Sequence, residues 1–364
     1  MSTQKYRSLS TYSLLGKTGL RVSPLCLGTM TFGTEWGWGS PAETAKKILH
    51  SYLEAGGNFI DTANGYTNGR SEELLGEFLS ESGLRDRVVL ATKYTFNTRP
   101  GDPNAGGNGR KNLVQSLEAS LRRLKTDYVD LYWLHAWDCL TPAEETMSSL
   151  DALVRQGKIR YIGLSDTPAW YLTRAQSLAE QFGWERVAAL QLEYSLVERN
   201  IEREHIPAAL HFGMGICPWS PLASGFLSGK YTRKGDGGTG EGRLQVTQAQ
   251  GNPVFNKFSE RNWKIVDALT GVAKELGKSP AQVALNWITK RPAVSSTIIG
   301  ATKLDQLESN LAALDFEIPP ALWARLEEVS RPEMTFPYNF FQPSMQAMQT
   351  GGTTVTSEPP WFRC

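Results

Sequence analysis

Four polar side chains of complementary types are the first candidates for chemistry in this sequence. Asp61, Lys93 and His135 each end a short apolar run of the chain, and Tyr66 lies just beyond Asp61. A single polar residue at such a place is more often a turn cap or a solvated loop residue. Three of them at successive strand ends, with a phenol beside the first, instead favour a functional site.

These residue types suit proton transfer to a carbonyl oxygen. A tyrosine with a pKa of about 10 is a weak acid at neutral pH, and a nearby lysine cation lowers that pKa. Asp61 would hold Lys93 in place, and His135 would orient a substrate carbonyl. Tyr66 would then protonate the alkoxide as a hydride reaches carbon. The set has no obvious nucleophile and no metal triad, so carbonyl reduction is favoured over hydrolysis and no metal is expected.

The pattern of apolar runs predicts the fold that would bring these residues together. Eight short strands alternate with segments of helical periodicity, which predicts an α/β protein with a (β/α)8 TIM barrel. A doubly wound open sheet is the alternative. In a barrel, strand parity places Val89, Ala91, Leu131 and Trp133 in the interior below the site. The predicted strands are residues 25–27, 59–61, 88–93, 128–135, 159–165, 188–192, 215–219 and 297–300.

Other segments interrupt or extend the βα alternation. Residues 12–23 predict an N-terminal β-hairpin around a GKTG turn. Long loops are expected at 97–110 and 221–257, where they follow strand ends and therefore lie at the catalytic face. Within the second loop, GDGGTG at 235–240 matches GxGxxG. It follows no predicted strand and opens no predicted helix, so we interpret it as loop rather than as a dinucleotide-binding motif.

Composition narrows the class of protein. We expect one domain over residues 1–364, with a barrel core at about 12–330 and a C-terminal tail at 331–364. The net charge is +1 without a basic block, so nucleic acid is not an expected partner. No apolar run approaches the roughly 20 residues of a membrane span. The four cysteines are scattered, which favours a reducing, cytoplasmic location. The oligomeric state is left open.

The motifs, in their order along residues 12–330, resemble those of the aldo-keto reductase family. They are similar to the branch that contains bacterial aldo-keto reductases and potassium-channel β subunits. The matching motifs are GTM at 28–30, NFIDTA at 58–63 with Tyr66, LATK at 90–93, DYVDLYWLH at 127–135, GLS at 163–165, QLEY at 191–194, WSPLASG at 219–225 and IIG at 298–300.

The resemblance implies a function. It implies a tetrad of Asp61, Tyr66, Lys93 and His135, and reversible reduction of an aldehyde or ketone to an alcohol. It also implies a nicotinamide cofactor, usually NADPH (NADP+), with NADH the less expected choice. The channel-subunit branch supplies an alternative, a cofactor-binding regulatory subunit.

The resemblance also assigns cofactor contacts. Trp219 would stack on the nicotinamide, and Ser165 and Gln191 would bind its carboxamide. Two residues depart from the family pattern. Asp166 replaces a common asparagine next to the nicotinamide. Ser309 replaces a common adenine-binding glutamate, and this second departure weakens the preference for NADP over NAD. The other implied contacts are Thr29, Met30, Asp61, Ser220, Pro221, Leu222, Ser224, Gly225, Lys230, Gly300, Thr302, Gln306 and Asn310.

Aromatic residues mark the substrate side. Trp36, Phe96 and Trp137 lie on loops that follow predicted strands, so in a barrel they surround its mouth. Such a lining predicts a small-molecule substrate with an apolar or ring-containing carbonyl. The aromatics of the tail are placed near the mouth by the resemblance alone.

Overall fold

A parallel eight-stranded sheet forms the centre of the computed structural model, which describes residues 8–234, 237–240, 244 and 256–353. The described strands are β1 Ser13–Leu14, β2 Arg21–Val22, β3 Leu25–Gly28, β4 Phe59–Asp61, β5 Val89–Tyr94, β6 Val129–Leu134, β7 Ile159–Ser165, β8 Val187–Glu193, β9 Gly215–Trp219, β10 Thr232–Lys234, β11 Gly237–Thr239 and β12 Thr297–Ile299. The strand order in the central sheet is β12-β3-β4-β5-β6-β7-β8-β9.

The two ends of the sheet approach each other through backbone contacts. Ile216 of β9 forms a parallel bridge with Val294, just before β12. The amide of Ser295 donates to the Ile216 carbonyl over 2.9 Å. The sheet is therefore a nearly closed barrel, so the predicted (β/α)8 fold is confirmed and the open-sheet alternative is wrong.

The helices that follow the strands pack on the sheet, which buries an apolar stripe on each helix. The described helices are α1 Ala42–Glu54, α2 Arg70–Ser82, α3 Arg110–Leu124, α4 Ala143–Arg155, α5 Ala169–Phe182, α6 His205–Phe212, α7 Glu260–Leu276, α8 Pro280–Thr289, α9 Leu304–Leu311, α10 Pro320–Ser330 and α11 Pro343–Gln349. In α7, for example, Ile265, Leu269 and Val272 are buried. None of these described helices is long and apolar enough to cross a bilayer.

The barrel interior is packed with side chains rather than open. The four residues that strand parity assigned to it, Val89, Ala91, Leu131 and Trp133, belong to one buried cluster, as predicted. The N-terminal hairpin of β1 and β2 is also confirmed. Its neighbouring residues Leu15 and Val22 join the same cluster, so the hairpin contributes to the floor beneath the site.

Three regions differ from the sequence prediction. The described residues between β9 and β12 include two α-helices, α7 and α8, where one was expected. The predicted loop at 221–257 contains a 3-10 helix, Ala223–Ser228, and the antiparallel pair β10 and β11. The interpretation of GDGGTG as loop is therefore wrong for Gly237–Thr239, which form a strand; Gly235 and Asp236 lie outside the described residues. The tail includes helix α11, and residues 354–364 likewise lie outside.

The close approach of β7 to Trp133 generates a stability prediction. A Cβ atom on Gly163 would lie 2.1 Å from Cε3 of Trp133, which is fully buried in the barrel. Gly163→Ala should therefore lower the free energy of unfolding by about 1–3 kcal/mol, as measured by urea denaturation. Gly19→Ala is the matched control, because no heavy atom lies within 4 Å of its Cβ position. Equal stability of the two variants would contradict the packing described for the interior.

Candidate active site

The carboxyl ends of three adjacent strands deliver the predicted polar set. Asp61 ends β4, Lys93 is the penultimate residue of β5, and His135 directly follows β6. Tyr66 begins a 3-10 helix shortly after β4. Because β4, β5 and β6 are parallel neighbours, their carboxyl ends meet at one rim of the barrel.

The buried ammonium of Lys93 is the centre of this set. It donates to Asp61 Oδ2, to the Thr62 carbonyl over 3.1 Å and to Tyr66 Oη over 3.0 Å. An ammonium has three donors and no acceptor, so all of its donors are used. Tyr66 must accept in this bond, and its own hydroxyl proton is therefore directed away from Lys93.

The Lys93–Asp61 pair is ionised. Burial acts to lower the pKa of Lys93, but Asp61 and Tyr66 outweigh it and the net pKa is raised. The pKa of Asp61 is also raised, because burial outweighs the lowering effects of Lys93 and Gln191. The raised pKa of Lys93 favours the ionised pair, whereas the raised pKa of Asp61 opposes it. The ionised pair prevails because protonation of Asp61 alone would leave Lys93 as a lone buried charge.

Asp61 is held from several sides. Gln191 Nε2, on β8 across the barrel, donates to Asp61 Oδ1 over 3.0 Å. The Thr29 amide and hydroxyl donate to the Asp61 carbonyl oxygen over 2.9 and 3.2 Å. The Thr29 side chain is fully buried. Its hydroxyl therefore fixes the tip of β4.

His135 lies beside Tyr66 as a neutral imidazole. Its ring centroid is 5.8 Å from that of Tyr66, with the two rings nearly perpendicular. Burial lowers the pKa of His135 well below its ordinary value, and Lys93 acts in the same direction. The backbone amide of His135 donates to the Tyr94 carbonyl over 3.0 Å. A neutral imidazole has one N–H with which to donate to a carbonyl oxygen.

Three of the predicted nicotinamide residues lie on neighbouring strands of the same rim. Ser165 ends β7, Gln191 is in β8 and Trp219 ends β9. The indole Nε1 of Trp219 donates to Asp166 Oδ1 over 3.0 Å. This bond fixes the orientation of the indole at the edge of the cleft, which is the opening of the barrel at the carboxyl ends of its strands. Asp166 accepts this bond although it replaces the asparagine that the resemblance leads one to expect.

Several residues of the segment after β9 have a left-handed backbone. Ser220, Ser224 and Gly225 have φ of 51°, 57° and 90°, in the left-handed region. Successive turns of this kind direct amides into a concavity that suits phosphate oxygens. The buried Ser224 hydroxyl has no hydrogen-bond partner among the described residues. A Cβ on Gly225 would lie 2.8 Å from Lys230 Cε, so this glycine lets the lysine pack closely.

The residues predicted for the adenosine end also lie together, after β12. Gln306 Oε1 accepts from the Thr302 amide over 2.9 Å. Asn310 Nδ2 donates to the Gly300 carbonyl over 3.3 Å. Of the remaining predicted contacts, Met30 follows β3, and Pro221 and Leu222 follow β9, on the same rim.

Aromatic side chains surround Tyr66 and His135. The Trp36 ring meets that of Tyr66 edge-on at 6.3 Å, and the Phe96 ring meets His135 at 4.7 Å. Trp36 and Phe96 are exposed, so they form walls open to a ligand. The Trp137 ring packs at 5.3 Å against that of Trp170, which was not predicted from the sequence. The position of Trp170 in the first turn of α5, the helix after β7, was the available signal.

The tail contacts the segment between β8 and α6. The Tyr338 hydroxyl donates to Glu204 Oε1 over 2.5 Å, and Arg203 donates to the Glu333 carbonyl over 2.6 Å.

Within the described residues, no three His, Cys, Asp or Glu side chains are grouped so that they could hold a metal ion.

The buried ion pair generates a double-mutant prediction. Lys93→Met should lower the free energy of unfolding by about 3–5 kcal/mol, because Asp61 would remain as an unpaired buried carboxylate. Adding Asp61→Asn should recover most of that loss, since both charges are then absent. Urea unfolding of the two single variants and the double variant gives the coupling energy. A double variant no more stable than Lys93→Met would contradict an ionised pair.

The sequence is similar to known proteins over most of its length. The sequence profile of the Aldo/keto reductase family matches residues 24–331. A putative aryl-alcohol dehydrogenase of Saccharomyces cerevisiae is 36% identical over 335 residues, covering 89% of this chain and 88% of its own. An aryl-alcohol dehydrogenase [NADP(+)] of Phanerodontia chrysosporium is 36% identical over 336 residues, covering 89% and 86%.

A norsolorinic acid reductase of Emericella nidulans is also similar. It is 36% identical over 345 residues, which cover 92% of this chain and 86% of the relative. The family match spans most of the chain and includes the strand ends that carry Asp61, Lys93 and His135. The chain therefore belongs to the aldo/keto reductase family and is an NAD(P)H-dependent oxidoreductase of carbonyl and alcohol groups.

Proposed function

We propose that this protein reduces aromatic aldehydes or ketones to alcohols with NADPH, reversibly, and that Tyr66 is the general acid. The observation that carries the proposal is the bond from Lys93 Nζ to Tyr66 Oη, at 3.0 Å, with every other Lys93 donor already used. This arrangement directs the phenolic proton away from the lysine. His135, the neutral neighbour of Tyr66, supplies a second donor for the same carbonyl oxygen.

Each side chain of the tetrad has a separate role in this proposal. Tyr66 donates its proton to the carbonyl oxygen, and Lys93 stabilises the phenolate that remains. Asp61 holds the ammonium in position, and His135 orients the carbonyl by a hydrogen bond. When bound, the nicotinamide cofactor supplies the hydride to the carbonyl carbon. In the direction of alcohol oxidation, the Tyr66 phenolate accepts the hydroxyl proton.

The residues present fit a nicotinamide dinucleotide. The unpartnered Ser224 hydroxyl and the left-handed backbone around it suit a pyrophosphate. Ser165 and Gln191 would hold the carboxamide, and Trp219 would stack on the ring. We assign NADPH rather than NADH because exposed Lys303 lies beside the adenosine group of residues, and because one relative is named for NADP(+).

The aromatic mouth supports the choice of substrate class. Exposed Trp36 and Phe96 flank Tyr66 and His135, so a planar ring could pack against them while its carbonyl reaches both donors. Two of the relatives are named for aryl alcohols and one for norsolorinic acid.

We further propose that residues 1–364 form one domain, of which the barrel is the core.

Removal of the Tyr66 hydroxyl tests its role. Tyr66→Phe should lower kcat for an aromatic aldehyde by about 10²–10⁴-fold, because the general acid is lost. Binding of NADPH, followed by quenching of tryptophan fluorescence, should be retained. Tyr12→Phe removes an exposed hydroxyl that bonds to the Gly56 carbonyl, and serves as the control. Retained turnover by Tyr66→Phe would contradict the assignment.

A panel of aromatic aldehydes, aliphatic aldehydes, diketones and sugars, each with NADPH, tests the reaction itself. The expected result is oxidation of NADPH, followed by its absorbance, with the aromatic aldehydes turned over most efficiently. Tight NADPH binding without turnover of any carbonyl would favour a regulatory subunit instead.

Two lysines allow the cofactor assignment to be tested. Lys303→Met should raise the Kd of NADPH about tenfold and leave that of NADH unchanged, because only NADPH carries the 2′-phosphate. Lys230→Met is the matched variant. Lys230 lies beside the proposed pyrophosphate segment, so its loss should weaken both nucleotides. Equal binding of NADPH and NADH by the unaltered protein would overturn the assignment of NADPH.

A further inference from the structure

Asp166 occupies a fixed position at the edge of the cleft. Its φ of 44° is left-handed, a conformation that aspartate and asparagine adopt more readily than other non-glycine residues. Its amide donates to the Gln191 carbonyl over 3.2 Å, and its carbonyl accepts from the Trp137 amide over 3.3 Å. These bonds to β8 and to the loop after β6 hold the residue, so its carboxylate is aimed by the backbone.

The carboxylate of Asp166 lies at the edge of the Trp219 indole. Oδ1 accepts from Trp219 Nε1 over 3.0 Å. Asparagine at this position could accept the same bond through its side-chain oxygen, but without a charge. The chemical difference between the two residues here is therefore one negative charge beside the indole.

Among the described residues, no lysine or arginine nitrogen lies within 4.0 Å of this carboxylate. Lys93 is nearby, but its three donors are used within the tetrad. Glu193, on β8, is paired with Lys257 at 2.7 Å. His205 Nε2 contacts the Thr167 carbonyl at 2.8 Å. Unlike Glu193, Asp166 therefore forms no ion pair with a lysine or arginine among the described residues.

The surroundings also favour a titratable group. Asp166 is exposed to solvent at the open mouth, but the protein packed around it removes part of its hydration. This partial loss of hydration raises the pKa of Asp166 to about 7; the Trp219 N–H lowers it, Glu193 raises it and Lys93 lowers it. A ring stacked on Trp219 would cover Asp166 and remove that solvent.

We infer that Asp166 is a specificity-determining residue that makes the site distinguish the oxidised from the reduced cofactor. The inference rests on the proposed function, in which the nicotinamide stacks on Trp219. The Asp166 carboxylate attracts the positively charged oxidised ring and has no such attraction for the neutral reduced ring. It therefore strengthens NADP+ binding relative to NADPH, and it stabilises the charge that develops as hydride is transferred to the carbonyl.

The sign of the pH dependence follows from this charge. Only the ionised carboxylate attracts the oxidised ring, so NADP+ binding tightens as pH rises through the pKa of Asp166. The reduced ring covers the carboxyl group without a compensating charge, so NADPH binding weakens over the same range. Both nucleotides carry the same 2′-phosphate. The pH dependence of the 2′-phosphate therefore cancels in the ratio of their dissociation constants, and the ratio reports only groups at the nicotinamide end.

The test is the ratio of the Kd of NADP+ to that of NADPH, measured by tryptophan fluorescence quenching from about pH 6 to about pH 8.5. For the unaltered protein the ratio should fall about fivefold as pH rises, the upper end for a partly exposed charge pair. In Asp166→Asn the ratio should be independent of pH and about fivefold higher at the alkaline end. Asp166→Ala, which also loses the Trp219 bond, should show the same flat ratio.

Other outcomes would overturn the inference. If Asp166→Asn behaves as the unaltered protein and only Asp166→Ala differs, the residue acts through its bond to Trp219 and not through charge. If the pH dependence persists in both variants, it belongs to a group other than Asp166. If the unaltered protein binds neither nucleotide, the proposed function fails and this inference with it. Thermal unfolding of each variant checks that the fold is retained.

Discussion

The burial of Lys93 against Asp61 is the interaction on which the site depends. A buried ammonium is tolerated only where acceptors meet all of its donors, and here they come from Asp61, Thr62 and Tyr66. Two strands and the turn after β4 must therefore keep their register. A slip of β5 by one residue would direct Lys93 out of the barrel. Gln191, from β8 on another part of the sheet, adds a cross-barrel constraint on the same carboxylate.

The packing below the site supports this geometry. Trp133 fills the interior where Gly163 leaves space, and Leu15 of the hairpin region contributes to the floor. The proton-transfer groups thus stand at the rim of a close-packed sheet, whereas the aromatic groups such as Trp36 and Phe96 lie on loops. This division allows loops to select a carbonyl substrate without moving the atoms that protonate it.

Much of the fold could be predicted from local sequence patterns. The alternation of residues along a strand predicts which side chains face the barrel interior, and the end of an apolar run predicts where a polar side chain reaches the rim. Trp133 and Lys93 were placed correctly on that basis. What could not be predicted depends on tertiary contacts that leave no local pattern. The Thr62 carbonyl as the third Lys93 acceptor, Trp170 against Trp137, and the bond from Trp219 to Asp166 are of this kind. The hairpin of β10 and β11 was missed because glycine-rich sequence is a poor strand signal.

The role of Tyr66 as the acid depends on where the hydrogens of the site lie, and neutron crystallography of the D2O-exchanged protein observes them directly. Three deuterons are expected on Lys93 Nζ, directed at Asp61, at the Thr62 carbonyl and at Tyr66 Oη. The Tyr66 deuteron is expected to point away from Lys93, on the side of His135 and the cleft. A neutral Lys93 amine, or a Tyr66 deuteron directed at Lys93, would contradict this role.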